Sequence, residues 1–204
     1  AFARLDESAP QKPLTRKGAI RVEMERRLRA AAESGEATAL VVRAGDFFGP
    51  GAGNSWFSQG LVKPGRPPRA IQYPGKPGVG HQWAYLPDVA ETMVRLAGRD
   101  GLDAFASFHM DGHWDPDGTQ VVAAIRRAVG DPRLPVRRLP WWLLRAASPV
   151  VPLFRELAEM RYLWDTPVRM DNARLVTELG AEPHTPLDEA VRATLAGIGC
   201  LPNG

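Results

Sequence analysis

The chain has 204 residues, 44% hydrophobic and 24% charged, with 26 Lys and Arg against 23 Asp and Glu for a net charge of +3. This is the composition of an ordinary globular protein, long enough for one large domain or two small ones. The small basic excess is interspersed with acids, as in Glu23-Met24-Glu25-Arg26-Arg27, which argues against nucleic-acid binding. No apolar run approaches the ~20 residues of a membrane span, and the single cysteine, Cys200, excludes an internal disulfide or a cysteine zinc site.

Residues 1–16 read as loop, because Asp6-Glu7-Ser8-Ala9-Pro10 and Pro13 block regular structure. From Arg16 to Ser34 the pattern is helical, with Ile20, Met24 and Leu28 at four-residue spacing and Gly35 as the stop. Thr38 to Val42 is a continuous apolar run of the kind buried on both faces of a parallel sheet. It leads into Arg43-Ala44-Gly45-Asp46-Phe47-Phe48-Gly49-Pro50-Gly51. In open α/β sheets ligands sit beyond the carboxyl ends of the strands, so a pocket is expected at this loop.

Residues 49–80 are rich in Gly and Pro and admit only a short helix near Trp56 to Leu61 and a strand near Arg69 to Tyr73. A strand is expected over Trp83 to Leu86. A helix follows, opened by Asp88 with Glu91 three residues on in the manner of a capping box. Strands are expected over Phe105 to Met110 and Val136 to Leu139, with a helix over Thr119 to Val129 between them. Trp141 to Ala147 and Leu153 to Leu163 read as a proline-broken helical pair, and helices over Asp171 to Leu179 and Pro186 to Ile198 close the chain.

Three segments taken in order resemble the extended short-chain dehydrogenase/reductases, the NAD-dependent epimerase/dehydratase family, in its C-terminal portion. The first is Pro13-Leu14-Thr15-Arg16-Lys17-Gly18-Ala19-Ile20-Arg21 with Glu25, similar to the catalytic Tyr-Gly-x-x-Lys helix. The second, Arg43 to Gly51, is similar to Arg-x-x-Asn-x-x-Gly-Pro-Gly. The third, His81-Gln82-Trp83-Ala84-Tyr85-Leu86-Pro87-Asp88-Val89-Ala90, resembles Arg-Asp-Phe-x-Tyr-Val-x-Asp-Val-Ala. Arg174, Leu179-Gly180 and Pro183 to Leu187 match the closing helices.

The resemblance implies an α/β fold: the C-terminal part of a Rossmann-like doubly wound parallel sheet plus a small, mostly helical substrate-binding domain. Residues 1–50 would complete the dinucleotide-binding domain. Residues 51–204 would bind substrate, with about 87–112 packing back on the sheet. It further implies NAD or NADP as cofactor, hydride transfer to a carbonyl or from a secondary alcohol, and a homodimer through the helix at 16–34. A reducing cytoplasm is the expected compartment.

The departures from the pattern are chemical. Lys17 stands at the Tyr position and Arg21 at the Lys position. Arg21 keeps a cation able to bind a ribose or phosphate. Lys17 replaces the phenol as proton donor only if burial or Arg21 lowers its pKa; otherwise both are exposed helix charges. Catalytic candidates are thus Lys17, Arg21 and Asp46, and cofactor-side candidates are Arg21, Phe47, Phe48 and Gly49.

Substrate-side candidates are Asp46, Asn54, His81 and Gln82. Asp46, in place of an amide, orients a substrate hydroxyl, acts as a base or serves a turn. His81 stands where an Arg binds substrate phosphates; a neutral imidazole is weaker there, which argues against a nucleotide sugar, and a structural loop histidine is the other reading. Tyr85 is expected in the core, with Asp88 as a helix N-cap.

The aromatic run Trp141-Trp142-Leu143-Leu144 with Tyr162-Leu163-Trp164 is either a small helical core or a pocket wall for an apolar or aromatic small-molecule substrate. Metal binding is not expected. His81, His109, His113 and His184 are scattered, and Asp111, Asp115 and Asp117 read as a turn with a helix cap rather than a calcium loop.

The glycine-rich phosphate loop of a dinucleotide site is not among these residues: Gly49-Pro50-Gly51-Ala52-Gly53 precedes no long helix, and Pro50 lacks a donor. The expectation is a chain missing its nucleotide-binding half, or a partner covering the open edge of the 38–42 strand. The alternative to an oxidoreductase is a non-catalytic dinucleotide-binding sensor or assembly protein of the same fold.

Overall fold

The computed structural model describes residues 4–147 and 158–201. In chain order the elements are β1 (Arg4–Leu5), α1 (Arg16–Glu33), β2 (Ala39–Arg43), β3 (Asp46–Phe48), a π-helical segment (Trp56–Leu61), β4 (Ile71–Tyr73), β5 (His81–Tyr85), α2 (Leu86–Ala97) and β6 (Phe105–His109). Then follow β7 (His113–Asp115), α3 (Gln120–Val129), β8 (Val136–Arg138), α4 (Trp141–Ala147), α5 (Tyr162–Asp165), β9 (Arg169–Met170), α6 (Ala173–Leu179) and α7 (Leu187–Gly197).

Parallel pairing dominates. β2 runs parallel to β6 with Leu40 opposite Ala106 and Val42 opposite Phe108, while β3 runs parallel to β5, which β7 joins antiparallel. β4 pairs parallel with β8, and β1 with β9. Two apolar clusters result. One packs Ala84, Val89, Leu96, Ala106, Phe108, Met110 and Leu175 between α2, β6 and α6. The larger joins Phe48, Phe57, Ile71, Tyr73, Trp83 and Trp164 to the facing sides of α3 and α7.

Several local expectations shift for physical reasons. β2 is half-buried along its whole length rather than buried, because β6 is its sole partner among the described residues. α1 begins at its Thr15 cap, whose Oγ1 accepts from the Gly18 N–H at 3.0 Å. Its stripe of Ile20, Met24 and Leu28 faces outward at 57%, 44% and 38% exposure, and Glu25 and Ala32 are the side chains it buries.

α2 starts at Leu86, not Asp88, since Pro87 fits a first-turn position that needs no N–H donor. Asp88 does not cap it. Its carboxylate accepts from the Thr185 N–H and hydroxyl at 2.8 and 2.7 Å, pinning the loop before α7. Asp115 holds the start of α3, accepting from the Gly118 and Val121 N–H groups at 2.9 and 3.0 Å.

Cys200, three residues past the end of α7, belongs to the core. It is 1% exposed in the large core, with its thiol turned to the Lys63 carbonyl and its pKa pushed up by burial. Of the expected 153–163 helix, residues 153–157 lie outside the described residues. Among the described residues no helix is long and apolar enough to cross a membrane.

Candidate functional site

The end of β2 turns directly into β3 through Ala44-Gly45, and the turn is tight. A Cβ on Gly45 would lie 2.2 Å from the Gln82 carbonyl oxygen, so only glycine lets the two chains pass. That close approach sets Asp46 opposite Trp83 in the β3–β5 register and brings its carboxylate to His81, with Oδ2 2.8 Å from Nε2.

His81 is buried, at 7% exposure, and lies flat on Trp164 with ring centroids 3.8 Å apart and planes 6° from parallel. Trp83 meets its edge at 4.9 Å. The Asp46 side chain is 20% exposed, so the pair has a dry end at the imidazole and a wetter end at the carboxylate. The geometry is that of a carboxylate-oriented imidazole: Nε2–H donates to Asp46 and the ring is clamped by stacking.

Gln82, the next residue of β5, serves the fold instead. Its amide N–H groups donate to the Met110 and Asp111 carbonyls at 3.1 and 2.8 Å, and its Oε1 accepts from Met170 N–H at 3.0 Å. Asn54 is exposed on a turn and accepts from Gln59 at 2.8 Å. Of the substrate-side candidates, the structure therefore brings together Asp46 and His81.

The cofactor-side candidates divide. Phe48 is 1% exposed and stacks on Phe57 at 5.6 Å, and Gly49 lies under the first residues of α2, where a Cβ would stand 3.2 Å from the Leu86 Cβ. Phe47 is 44% exposed. Lys17 and Arg21 are exposed on the first turns of α1.

Glu25, one turn beyond Arg21, is the buried anchor of that helix. Arg43 at the end of β2 grips both Glu25 carboxylate oxygens, through Nη2 to Oε1 and through Nε to Oε2 at 3.2 Å, and Gln11 adds a bond at 3.0 Å. Burial pushes the Glu25 carboxyl up, but the Arg43 and Gln11 hydrogen bonds outweigh it and hold the group below its ordinary value. The Arg43 Nη1 also meets His109 Nε2 at 2.9 Å. Arginine can only donate, so Nε2 accepts, and the Nδ1–H is left to donate to the Leu5 carbonyl at 2.9 Å. The two contacts together select the Nδ1–H tautomer of His109.

Sequence reasoning placed Asp46, His81 and the α1 cations but missed three things. One is the Glu25–Arg43–His109 chain, for which the only signal was an acid four residues after Arg21. Another is Trp164 beneath His81, which comes from 83 residues away. The third is a groove of about 220 Å³ lined by Lys63, Arg66, Arg69 and Arg137 with Gln59 and Gln72. None of these four cations has an acidic partner among the described residues. The π-helical segment connects this groove to the dyad: its Phe57 packs on Phe48 and Trp83, its Trp56 on Trp164, and Gln59 to Leu61 form the groove wall.

No family model matches the sequence, and no curated protein matches it. Solved structures do match in shape. MoeE5 in complex with UDP-glucuronic acid and NAD is 18% identical, with a TM-score of 0.70 over 97% of this chain and 60% of its own. RMD from Pseudomonas aeruginosa complexed with NADPH is 16% identical, with a TM-score of 0.67 over 96% of this chain and 60% of its own. UDP-glucuronic acid 4-epimerase from Bacillus cereus in complex with NAD is 12% identical, with a TM-score of 0.71 over 96% and 55%. The chain spans 55–60% of the length of these structures. It has the α/β fold of the NAD-dependent epimerases and dehydratases, over part of such a protein's length.

Proposed function

We propose that the chain is the substrate-binding portion of an NAD(P)-dependent oxidoreductase or epimerase acting on a carbonyl or secondary alcohol. The observation that carries this reading is the Asp46–His81 pair, set at the carboxyl end of a parallel strand in a fold whose solved examples hold NAD or NADPH. The nicotinamide, when bound, supplies the hydride acceptor or donor. The exposed Arg21 and Phe47 suit contact with such a group, one as a cation for ribose or phosphate and the other as a ring.

Asp46 accepts a hydrogen bond from a substrate hydroxyl on its wetter side, while His81 fixes the carboxylate from the dry side. Lys17 is the candidate for the proton otherwise carried by a phenol. The exposed stripe Ile20, Met24 and Leu28 supports a homodimer through α1.

The substrate in this reading is anionic. Trp164 is 1% exposed, and the Trp141 indole N–H is spent on the Pro74 carbonyl at 2.8 Å, so these rings build core rather than an apolar pocket wall. His81 is committed to Asp46 and Trp164 and is not the anion ligand. Lys63, Arg66, Arg69 and Arg137 supply that charge instead, and the bound UDP-glucuronic acid of MoeE5 makes a nucleotide-linked sugar the first class to test.

The test is absorbance of the reduced nicotinamide with the complete protein over a panel of nucleotide sugars, simple carbonyls and alcohols. Turnover that Asp46→Asn lowers at least ~10-fold supports the reading. Dinucleotide binding with no turnover on any substrate replaces it by the sensor reading, which the exposed Lys17 at the phenol position favours.

A further inference from the structure

A second cavity lies on the opposite face of the β4–β8 pair. Along both strands successive side chains alternate: Gln72 and Arg137 face the basic groove, while Tyr73, Val136 and Arg138 face this cavity of about 640 Å³. Val122 and Ala123 of α3 and Leu187 at the start of α7 complete its apolar walls. The volume falls within the ~300–1,000 Å³ usual for small-molecule sites.

Charge at its mouth is unevenly committed. Arg126 donates twice to the Leu134 carbonyl, at 3.0 and 2.8 Å, and Arg127 forks onto Asp188. Asp117 accepts from the Thr119 N–H and hydroxyl at 3.0 and 2.6 Å. Arg138 is exposed and has no hydrogen-bond or ion-pair partner among the described residues. Beneath the cavity lies Tyr73, whose hydroxyl is buried without a partner against Gly118. Gly118 adopts a φ of +81°, and a Cβ there would stand 2.5 Å from that hydroxyl.

We propose that this cavity binds a small molecule with an apolar body and a single anionic head, the body held between Val122, Val136 and Leu187 and the head on Arg138. A fully polar ligand would strand the apolar walls, and a cationic one would meet Arg138, whose side chain has no partner among the described residues. The site is separate from the basic groove, since the two occupy opposite faces of one strand pair, and it does not depend on the redox reading above.

Octanoate is the probe, with octylamine as the matched cation, titrated calorimetrically into the complete protein. Octanoate should bind at least ~10-fold more tightly than octylamine, the range expected of one charge-assisted contact. Arg138→Glu should weaken octanoate by about 10-fold or more, and Val136→Trp should abolish binding by filling the space. Arg137→Glu, on the other face, should change octanoate affinity less than ~2-fold. Val136 is 44% exposed and Arg138 is exposed, so both variants should fold, as an unchanged melting curve would show. The proposal is overturned if wild type does not bind octanoate, if octylamine binds as well, if Val136→Trp leaves binding intact, or if Arg137→Glu is as damaging as Arg138→Glu.

Discussion

The side of the molecule built on α1 and β2 and the side built around Trp164 are held by different forces. On the first, an 18-residue helix turns its apolar stripe outward and is tied to the sheet by Glu25, Arg43 and His109. On the second, Trp56, Tyr73, His81, Trp83 and Trp164 pack ring against ring with centroids 3.8 to 5.7 Å apart. Ion pairs depend on pH and salt, whereas aromatic burial does not. The α1 side should therefore be the more salt-sensitive part, while the aromatic side sets resistance to heat.

The largest expected effect breaks the aromatic side. Trp164→Ala removes the ring beneath His81 and leaves a void, at a cost of about 3–5 kcal/mol in denaturant unfolding. A loss below ~1 kcal/mol would mean that the stack does not carry this core.

Next comes the ionic side. Glu25→Gln should cost about 1.5–3 kcal/mol near neutral pH, because Arg43 keeps its burial but loses its charged acceptor. The Glu25 carboxyl sits below its ordinary value in the fold, so its contribution is present above the unfolded value near 4.5 and is lost as pH falls through the folded one. Wild type and Glu25→Gln should thus converge in stability in acid; a constant gap from pH 7 to pH 3 would contradict the assignment.

A third variant separates acid sensitivity of the two sides. His113 packs on Phe48 and His184, with its Nε2 buried and unpartnered. Burial first, and then the His184 charge, push its pKa down to about 4. The unfolded chain binds this proton near pH 6.5 and the folded one near 4, so stability is full above 6.5 and falls between those values. His113→Phe should flatten the melting temperature across that window while leaving pH 8 nearly unchanged. An unaltered slope would place the acid sensitivity elsewhere.

The smallest effect is expected at the α1 surface. Lys17→Met should shift stability by no more than ~0.5 kcal/mol, as exposed substitutions do. If it nevertheless lowers turnover of the complete protein, the proton-transfer role gains support; unchanged turnover removes it.

Much of the element order was legible in the sequence because period and punctuation are local. The four-residue spacing after Arg16, the apolar run to Val42, and glycines after Ser34 and Val129 each dictate their element from within a few residues. Asp46 and His81 were also legible as candidates, because each stands at a site position of the resembled motifs, Asp46 just past an apolar strand and His81 just before one. Their pairing was not: it needed β3 to lie parallel to β5 and Gly45 to pass within reach of Gln82. Asp88 misled for the same reason. Its neighbours fit a cap, but its partner is Thr185, 97 residues on. The sequence by itself thus determined most of the helices and the strands β2, β4, β5, β6 and β8, whereas the short strands β1, β3, β7 and β9 fall in stretches that carry no local period. The tertiary structure decided which charges meet, which indoles are buried and which cations line the groove, since burial and distance depend on contacts between segments far apart in the chain.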